Sequence, residues 1–303
     1  MYDVAIIGSG PAGLTAAIYA TRAGLKTAVI SANPVGGGQI LNTYEVDNYP
    51  GLPGISGLDL GHKFTEQAKN LGAEFLRGRV SSILKEADFF KLVTRKEEFT
   101  ARSVILATGA SNRHLGCDGE EELGGLGVSY CATCDGAFFK EKTVAVVGGG
   151  DVALEDALYL ADLCKKVYLV HRRDEFRGTF VLQEQVKNNP KIEILYNSTV
   201  EAIKGEASVS GMTIYNKEAK SKTDYDIEGI FIAVGTVPNT AGIEGLPKCN
   251  EAGYIKAEEM GITSIPGVFA AGDVRTKSLR QVITACADGA NCITSVQNYL
   301  RGV

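Results

Sequence analysis

Cys131 and Cys134 stand two residues apart in Ser129-Tyr130-Cys131-Ala132-Thr133-Cys134-Asp135-Gly136, with a carboxylate directly behind the second thiol. Two cysteines at this spacing can close a small disulfide within one turn of backbone, and the sulfur nearer a helix start or a positive group ionises more readily than a free thiol. Such a pair can cycle between dithiol and disulfide. Zinc binding is a competing chemistry, but it needs two further ligands at comparable spacing. Cys117, Cys164, Cys249, Cys286 and Cys292 are scattered, and His62, His114 and His171 lie far apart, so no metal is expected. A structural staple is the other competitor, and a bridge closing so short a loop constrains the unfolded chain little. CxxC alone names no activity, so its surroundings must decide.

With 303 residues the chain has room for two domains, each with its own core. It is 45% hydrophobic and 22% charged with a net charge of −5, a globular composition without the basic stripe that a nucleic-acid partner requires. No apolar run reaches the length of a membrane span, and a strand pattern begins within the first three residues. The expectation is therefore a cytoplasmic protein with no leader, no membrane contact and no nucleic-acid partner. In that compartment cysteines stay mostly reduced, and a CxxC is redox-active or metal-binding rather than structural.

The elements that must position the dithiol begin at Asp3-Val4-Ala5-Ile6-Ile7, an apolar strand running into Gly8-Ser9-Gly10-Pro11-Ala12-Gly13 and then a helix pattern over Leu14–Ala23. Glycines at this spacing permit a tight turn, close approach to a pyrophosphate and close helix–strand packing, and the pyrophosphate meets the positive end of the helix. The second strand, Thr27–Ile30, ends in Ser31 where a carboxylate for a ribose hydroxyl is common. Gly36-Gly37-Gly38-Gln39 and the stretch around Asn48 follow, as either a second cofactor-wrapping loop or a surface loop. A helix over 58–72 and three or four strands over 74–106 lead to Ala107-Thr108-Gly109, small enough to pass close to a ligand.

From Thr143 the plan repeats, Gly8 being matched by Gly148 at an offset of 140 residues: Gly148-Gly149-Gly150-Asp151-Val152-Ala153 follows another apolar strand, with Ala153 in place of the third glycine. Ile230–Gly235 echoes Val104–Gly109. Two copies of one plan imply two bound dinucleotides. At the end of the second copy's second strand stand His171, Arg172, Arg173 and Arg177. A solvated basic face is the ordinary meaning of such a run, but at this position planar guanidiniums suit a 2′-phosphate and point to NADPH. Near the end, Gly272-Asp273 closes another small-residue strand, ahead of Arg280-Gln281-Val282 and a helix over about 283–300. Asp273 could accept a ribityl hydroxyl or simply cap a turn.

Taken together, Gly8–Gly13, Gly37-Gly38-Gln39, Ala107-Thr108-Gly109, Cys131–Gly136, Gly148–Ala153, His171–Arg177 and Gly272-Asp273 with Arg280-Gln281-Val282 resemble the low-molecular-weight, bacterial-type thioredoxin reductases over nearly the whole length. That resemblance implies an α/β protein of two Rossmann-like, three-layer ββα dinucleotide-binding domains. FAD would be bound by segments 1–112 and 244–303, and an inserted NADPH domain, 113–243, would carry the dithiol. It further implies that FAD rests on Gly8, Ser9, Gly10, Pro11, Ala12, Gly13, Gly37, Gly38, Gln39, Asn48, Ala107, Thr108, Gly109, Gly272, Asp273, Arg280, Gln281 and Val282. NADPH would rest on Gly148, Gly149, Gly150, Asp151, Val152, Ala153, His171, Arg172, Arg173 and Arg177. Electrons would pass from NADPH through FAD to a Cys131–Cys134 disulfide and on to thioredoxin. Cys134 would face the flavin, Cys131 would attack the thioredoxin disulfide, and Asp135 would act as general acid or, alternatively, as a turn cap. A homodimer is implied as well.

Because the dithiol and the nicotinamide site share one domain and the flavin belongs to the other, the middle domain is expected to rotate between turnovers, hinging near 111–116 and 241–247. Three competing functions stay open at this point. The same dithiol chemistry could use ferredoxin as donor or a peroxiredoxin-type acceptor; an oxygen-dependent dithiol oxidase would form disulfides instead; a redox-sensing binding protein would hold both nucleotides without turnover.

Overall fold

The computed structural model describes residues 1–302 apart from Pro34 and Tyr44. Val303, last residue of the expected third segment, lies outside the described residues. In chain order the elements are β1 (Tyr2–Ile7), α1 (Pro11–Arg22), β2 (Thr27–Ser31), α2 (Gly57–Asn70), β3 (Glu74–Arg77), β4 (Val80–Lys85), β5 (Phe90–Thr94), β6 (Glu98–Leu106) and β7 (Ala110–Asn112). Then come β8 (Val128–Ser129), α3 (Ala132–Asp135), β9 (Thr143–Gly148), α4 (Asp151–Leu163), β10 (Lys166–Val170), α5 (Phe180–Lys187), β11 (Ile192–Leu195), β12 (Ser198–Gly205), β13 (Val209–Asn216), β14 (Ser221–Tyr225), β15 (Gly229–Ala233) and β16 (Thr236–Pro238). The last two are β17 (Val268–Ala270) and α6 (Val282–Arg301).

The chain forms two compact units, Met1–Ser111 with Val237–Val303, and Asn112–Thr236. In the outer unit the sheet runs β3-β2-β1-β6-β5-β4, and β17 also pairs with β6. The β1 run is apolar at every position from Val4 to Ile7 because both faces of a parallel strand are covered. Register brings Ile7 beside both Ile30 and Leu106, and Leu106 beside Ala270. Four strands therefore end level. Gly8, Ser31, Ala107 and Ala271 leave the sheet along one edge, where an open parallel sheet offers its crevice. One face of the sheet packs Val4, Ile6, Val29, Ile105 and Phe269 against α1 and α6, and the other packs Ile7, Ile30, Phe90 and Leu92.

The inner unit repeats this with the parallel order β11-β10-β9-β15-β8 and a separate antiparallel meander, β12-β13-β14. Gly148 pairs with Ala233, Val147 with Val170, and Phe231 with Ser129. The second glycine turn and the segment entering the dithiol consequently leave the same sheet along one edge. Each unit is thus a parallel sheet with helices and an antiparallel layer, the three-layer arrangement expected.

The crossings differ in place from the expected boundaries. Residues 237–243 pack in the outer unit: the Asn239 amide donates to Gly109 O at 2.9 Å, its side chain to Thr108 O at 3.0 Å, and the Glu244 amide to Ser81 O at 2.9 Å. Gly245, at φ +78°, sits where any Cβ would overlap Ile83 O. The stretch 241–247, expected to hinge, is therefore fastened to the outer meander. The crossings themselves run through β7 and β16, which pair with each other and are followed by an Arg113 amide to Gly235 O bond of 3.0 Å. Among the described residues no helix is long and apolar enough to cross a membrane.

Candidate functional site

In the outer unit, Gly8 has φ +113° and backs onto Ala107, so that a side chain would collide with the Ala107 carbonyl. Gly13 is pressed equally hard against Gly8 O. Those two positions fix the turn, and Gly10 then caps α1 with no side-chain partner for the helix amides. The Gly36–Gln39 loop folds over this turn: the Gly37 amide donates to Ser9 O at 2.7 Å, and Gln39 Nε2 donates to Ala110 O. Ser31 does not replace the missing carboxylate. Its hydroxyl accepts from Ser9 Oγ at 2.9 Å and so belongs to the turn. Asn48 donates to Gln281 Oε1 at 3.0 Å, joining the loop to the cap of α6.

Three residues of the expected FAD set carry an unusual burden. Thr108 Oγ1, Asp273 Oδ1 and Arg280 Nε are buried without a hydrogen-bond partner, and Ser82 Oγ on β4 is the other such atom among the described residues. A buried polar atom left unpaired costs about 1–3 kcal/mol. Three of them beyond the level ends of β6 and β17 fit a ligand rich in hydroxyl and carbonyl groups, as a flavin dinucleotide is. Burial also pushes the Asp273 carboxyl above its ordinary range, with Lys277 and Arg280 opposing.

Asp273 is held by a network that sequence reasoning missed. Asp288 on α6 accepts from the Gly272 amide at 2.9 Å, from Arg275 at 2.9 and 2.5 Å, and from Lys277 at 2.9 Å. All three side chains are less than 10% exposed.

In the inner unit Ala153 is fully buried and its methyl fills the space any Cβ on Gly148 would need, so the missing third glycine is compensated by the first. Arg172, Arg173 and Arg177 are exposed, and none has an ion-pair partner among the described residues. His171 differs from them. Its ring is buried beneath Gly149, with Nδ1 2.9 Å from Gly148 O and Nε2 2.9 Å from Glu175 O. Burial pulls the imidazole below its ordinary range while the two carbonyls oppose that fall, and the ring supports the turn from inside. Asp151 is likewise occupied, accepting the Thr179 amide at 2.7 Å.

Cys131 and Cys134 are joined as a disulfide with Cα atoms 5.3 Å apart, both half-buried, at the start of α3. The Cys134 and Asp135 amides donate back to Cys131 O at 3.2 and 3.1 Å, which closes the turn. Asp135 lies half-buried behind the pair. Ser129, at the end of β8, donates to Asp135 Oδ2 at 2.6 Å while accepting the Cys131 amide at 3.0 Å. Burial raises the Asp135 carboxyl above its ordinary range, and the Ser129 bond opposes that rise. Tyr130 reaches the other way, donating to the buried Glu120 at 2.7 Å. Burial works against the Glu120 charge, but bonds from Tyr130 and the Leu115 and Gly116 amides hold its carboxyl below the usual range. Cys164, Cys286 and Cys292 are buried free thiols, each pushed up by desolvation. Among the described residues no His, Cys, Asp and Glu cluster is arranged to hold a metal ion.

A family model described as pyridine nucleotide-disulphide oxidoreductase matches residues 2–289. Thioredoxin reductase from Bacillus subtilis is 44% identical over 302 residues, covering 99% of this chain and 95% of that protein. The one from Listeria monocytogenes is 46% identical over 302 residues, covering 99% and 94%. Among solved structures, thioredoxin reductase from Streptococcus pyogenes superposes with a TM-score of 0.95 at 44% identity, covering 100% and 99% of the two chains.

Proposed function

The chain belongs to the pyridine nucleotide-disulphide oxidoreductase family and within it to the bacterial-type thioredoxin reductases, and on that premise we propose that it is an NADPH-dependent, FAD-containing thioredoxin-disulfide reductase. The observation that carries the reading is the Cys131–Cys134 disulfide, backed by Asp135 and set on the same sheet edge as the second glycine turn. Bound FAD supplies the relay between a hydride donor and the disulfide. Thr108, Asp273, Arg280 and the Gly8–Gly13 turn would hold it, and the Gly148–Ala153 turn with Arg172, Arg173 and Arg177 would hold NADPH.

Once reduced, the Cys131 thiolate attacks one sulfur of the thioredoxin disulfide. A Cys131–sulfur bond forms, the partner's S–S bond breaks, and the leaving thiolate takes a proton from Asp135. Cys134, as thiolate, then attacks Cys131 sulfur, restoring the internal disulfide and freeing the second partner sulfur as a thiolate, which takes its proton from solvent. Asp135 is suited to this because Oδ2 accepts from Ser129, which leaves Oδ1 to carry the proton. Rotation of the inner unit about the paired β7 and β16 belongs to the reading, as do a homodimer and a cytoplasmic setting, which rest on the family resemblance. Light scattering of the purified holoenzyme at twice the chain mass checks the dimer.

The first experiment is anaerobic. Mixing the yellow holoenzyme with NADPH should bleach the oxidised flavin absorbance rapidly, with NADH far slower; equal rates, or bleaching by neither, would sink the NADPH assignment and direct attention to a ferredoxin donor. Removing Arg172, Arg173 or Arg177 singly should raise KM for NADPH about tenfold and leave that for NADH unchanged, as loss of one solvent-exposed charge-assisted phosphate contact predicts.

Asp135→Asn should lower thioredoxin reduction at pH 7 by about 10²-fold, the low end of general-acid contributions. In the wild type the protonated carboxyl is the working form, so activity falls as pH rises through its raised value, and the variant should lose that alkaline limb. Folding follows the same sign. The unfolded chain releases this proton at lower pH than the folded chain, so stability is lost as pH rises from the unfolded value through the folded one. Urea titrations across that window should be flatter for Asp135→Asn.

A further inference from the structure

We propose that Ser129 is a positioning residue of the dithiol reaction, its hydroxyl holding the Asp135 carboxyl in place and setting how readily that carboxyl gives up its proton. The inference rests on the reading of Asp135 as the acid. Ser129 is the last residue of β8, the edge strand of the inner sheet, and is 5% exposed, its backbone fixed by parallel pairing with Phe231 of β15. Its hydroxyl has one proton to give. The Cys131 amide occupies a lone pair at 3.0 Å, which turns the proton toward Asp135 Oδ2 at 2.6 Å in preference to Cys131 O at 3.4 Å. One hydroxyl thereby ties the first cysteine's backbone to the acid behind the second.

The consequence is electrostatic as well as steric. A hydrogen bond donated to a carboxylate stabilises its charged form. Burial drives the Asp135 carboxyl upward and Ser129 alone pulls it back. The titratable groups on the elements packed around it are Asp151, Glu155, Asp156, Tyr159 and Asp162 of α4 and Lys140 beyond the turn, and the causes that move the carboxyl are burial and the Ser129 bond. When Asp135 Oδ1 passes its proton to the departing thiolate, the carboxylate that results is already solvated by Ser129 on Oδ2. No rearrangement is needed at that moment.

The test compares pH profiles of thioredoxin reduction for wild type, Ser129→Ala, Ser129→Thr and Asp135→Asn holoenzymes, together with infrared difference titration of the Asp135 carboxyl. Ser129→Ala should move the alkaline limb and the carboxyl titration upward together by about one pH unit, a tenfold change in proton affinity. It should also lower the plateau rate, and Ser129→Thr, which keeps the hydroxyl, should restore both. A purely structural serine would depress the rate evenly across pH with the limb unmoved, and that outcome overturns the proposal. If instead Asp135→Asn leaves the limb in place, it is the reading of Asp135 as the acid that fails.

Discussion

Cys134→Ser is expected to reduce thioredoxin turnover by about 10³-fold or more, a loss of roughly 4 kcal/mol of transition-state stabilisation, while anaerobic bleaching of the flavin by NADPH continues. Thiol–disulfide exchange needs a second thiolate to resolve the mixed disulfide, and a serine hydroxyl cannot form or break a sulfur–sulfur bond. The five free thiols are poor substitutes. Cys164, Cys286 and Cys292 are buried, Cys249 is pushed up by burial and donates to Pro247 O at 3.4 Å, and Cys117 is pushed up to about 11 by burial with Glu120 adding to the effect, which leaves almost no Cys117 thiolate at neutral pH. With Cys134→Ser a covalent complex through Cys131 should accumulate and be visible by non-reducing electrophoresis, and Cys131→Ser should give none. Substantial turnover by either variant would remove the pair from the reaction.

The second large effect is on stability. Asp288→Asn removes the charge of the carboxylate that pairs directly with the Arg275 and Lys277 cations, each less than 10% exposed. Breaking a buried ion pair from one side costs about 3–5 kcal/mol, because the remaining charge is left unsolvated. For a unit of this size each kcal/mol is worth about 2–4 °C, so Tm should fall by ~10 °C in a calorimetric scan. Flavin should also be lost, since Asp288 accepts the Gly272 amide and thereby fixes the turn bearing Asp273. Reading absorbance of the protein after desalting checks that second limb. A holoenzyme that keeps its flavin and melts within a degree or two of wild type would refute the role given to Asp288.

Features that depend on short spacing were legible in the sequence. Gly8–Gly13, Gly148–Ala153 and Cys131–Asp135 each act within a single turn, so residue type and separation carry the geometry. The twofold repeat was legible for the same reason. What escaped were interactions made by packing distant elements. Asp288 meets Gly272 only because α6 lies along α1 beyond β17, and nothing in the α6 pattern marks one of its polar residues as buried. In the sequence Ser129 is only the first residue of the stretch that bears the two cysteines. Its distance of two residues from Cys131 and six from Asp135 becomes meaningful only once α3 turns back on β8. His171 was placed among the arginines by adjacency, but the residue directly after β10 points under the glycine turn while its neighbours reach solvent. The crossing near 236 was set too late because Gly and Pro residues at 242–247 suggested freedom that the bonds to Ser81 and Ile83 remove.

The paired strands β7 and β16 have a consequence for how such a protein can change. A segment that leaves and re-enters its host side by side behaves as a cassette: its two ends are already neighbours, and the host's own chain is continuous on either side of a short gap. Grafting a related 112–236 segment at this joint would exchange donor preference and thiol reactivity in one step, without re-threading any strand of the outer sheet. Joining Ser111 to Val237 by a few residues would close the host, and new chain ends could be opened elsewhere.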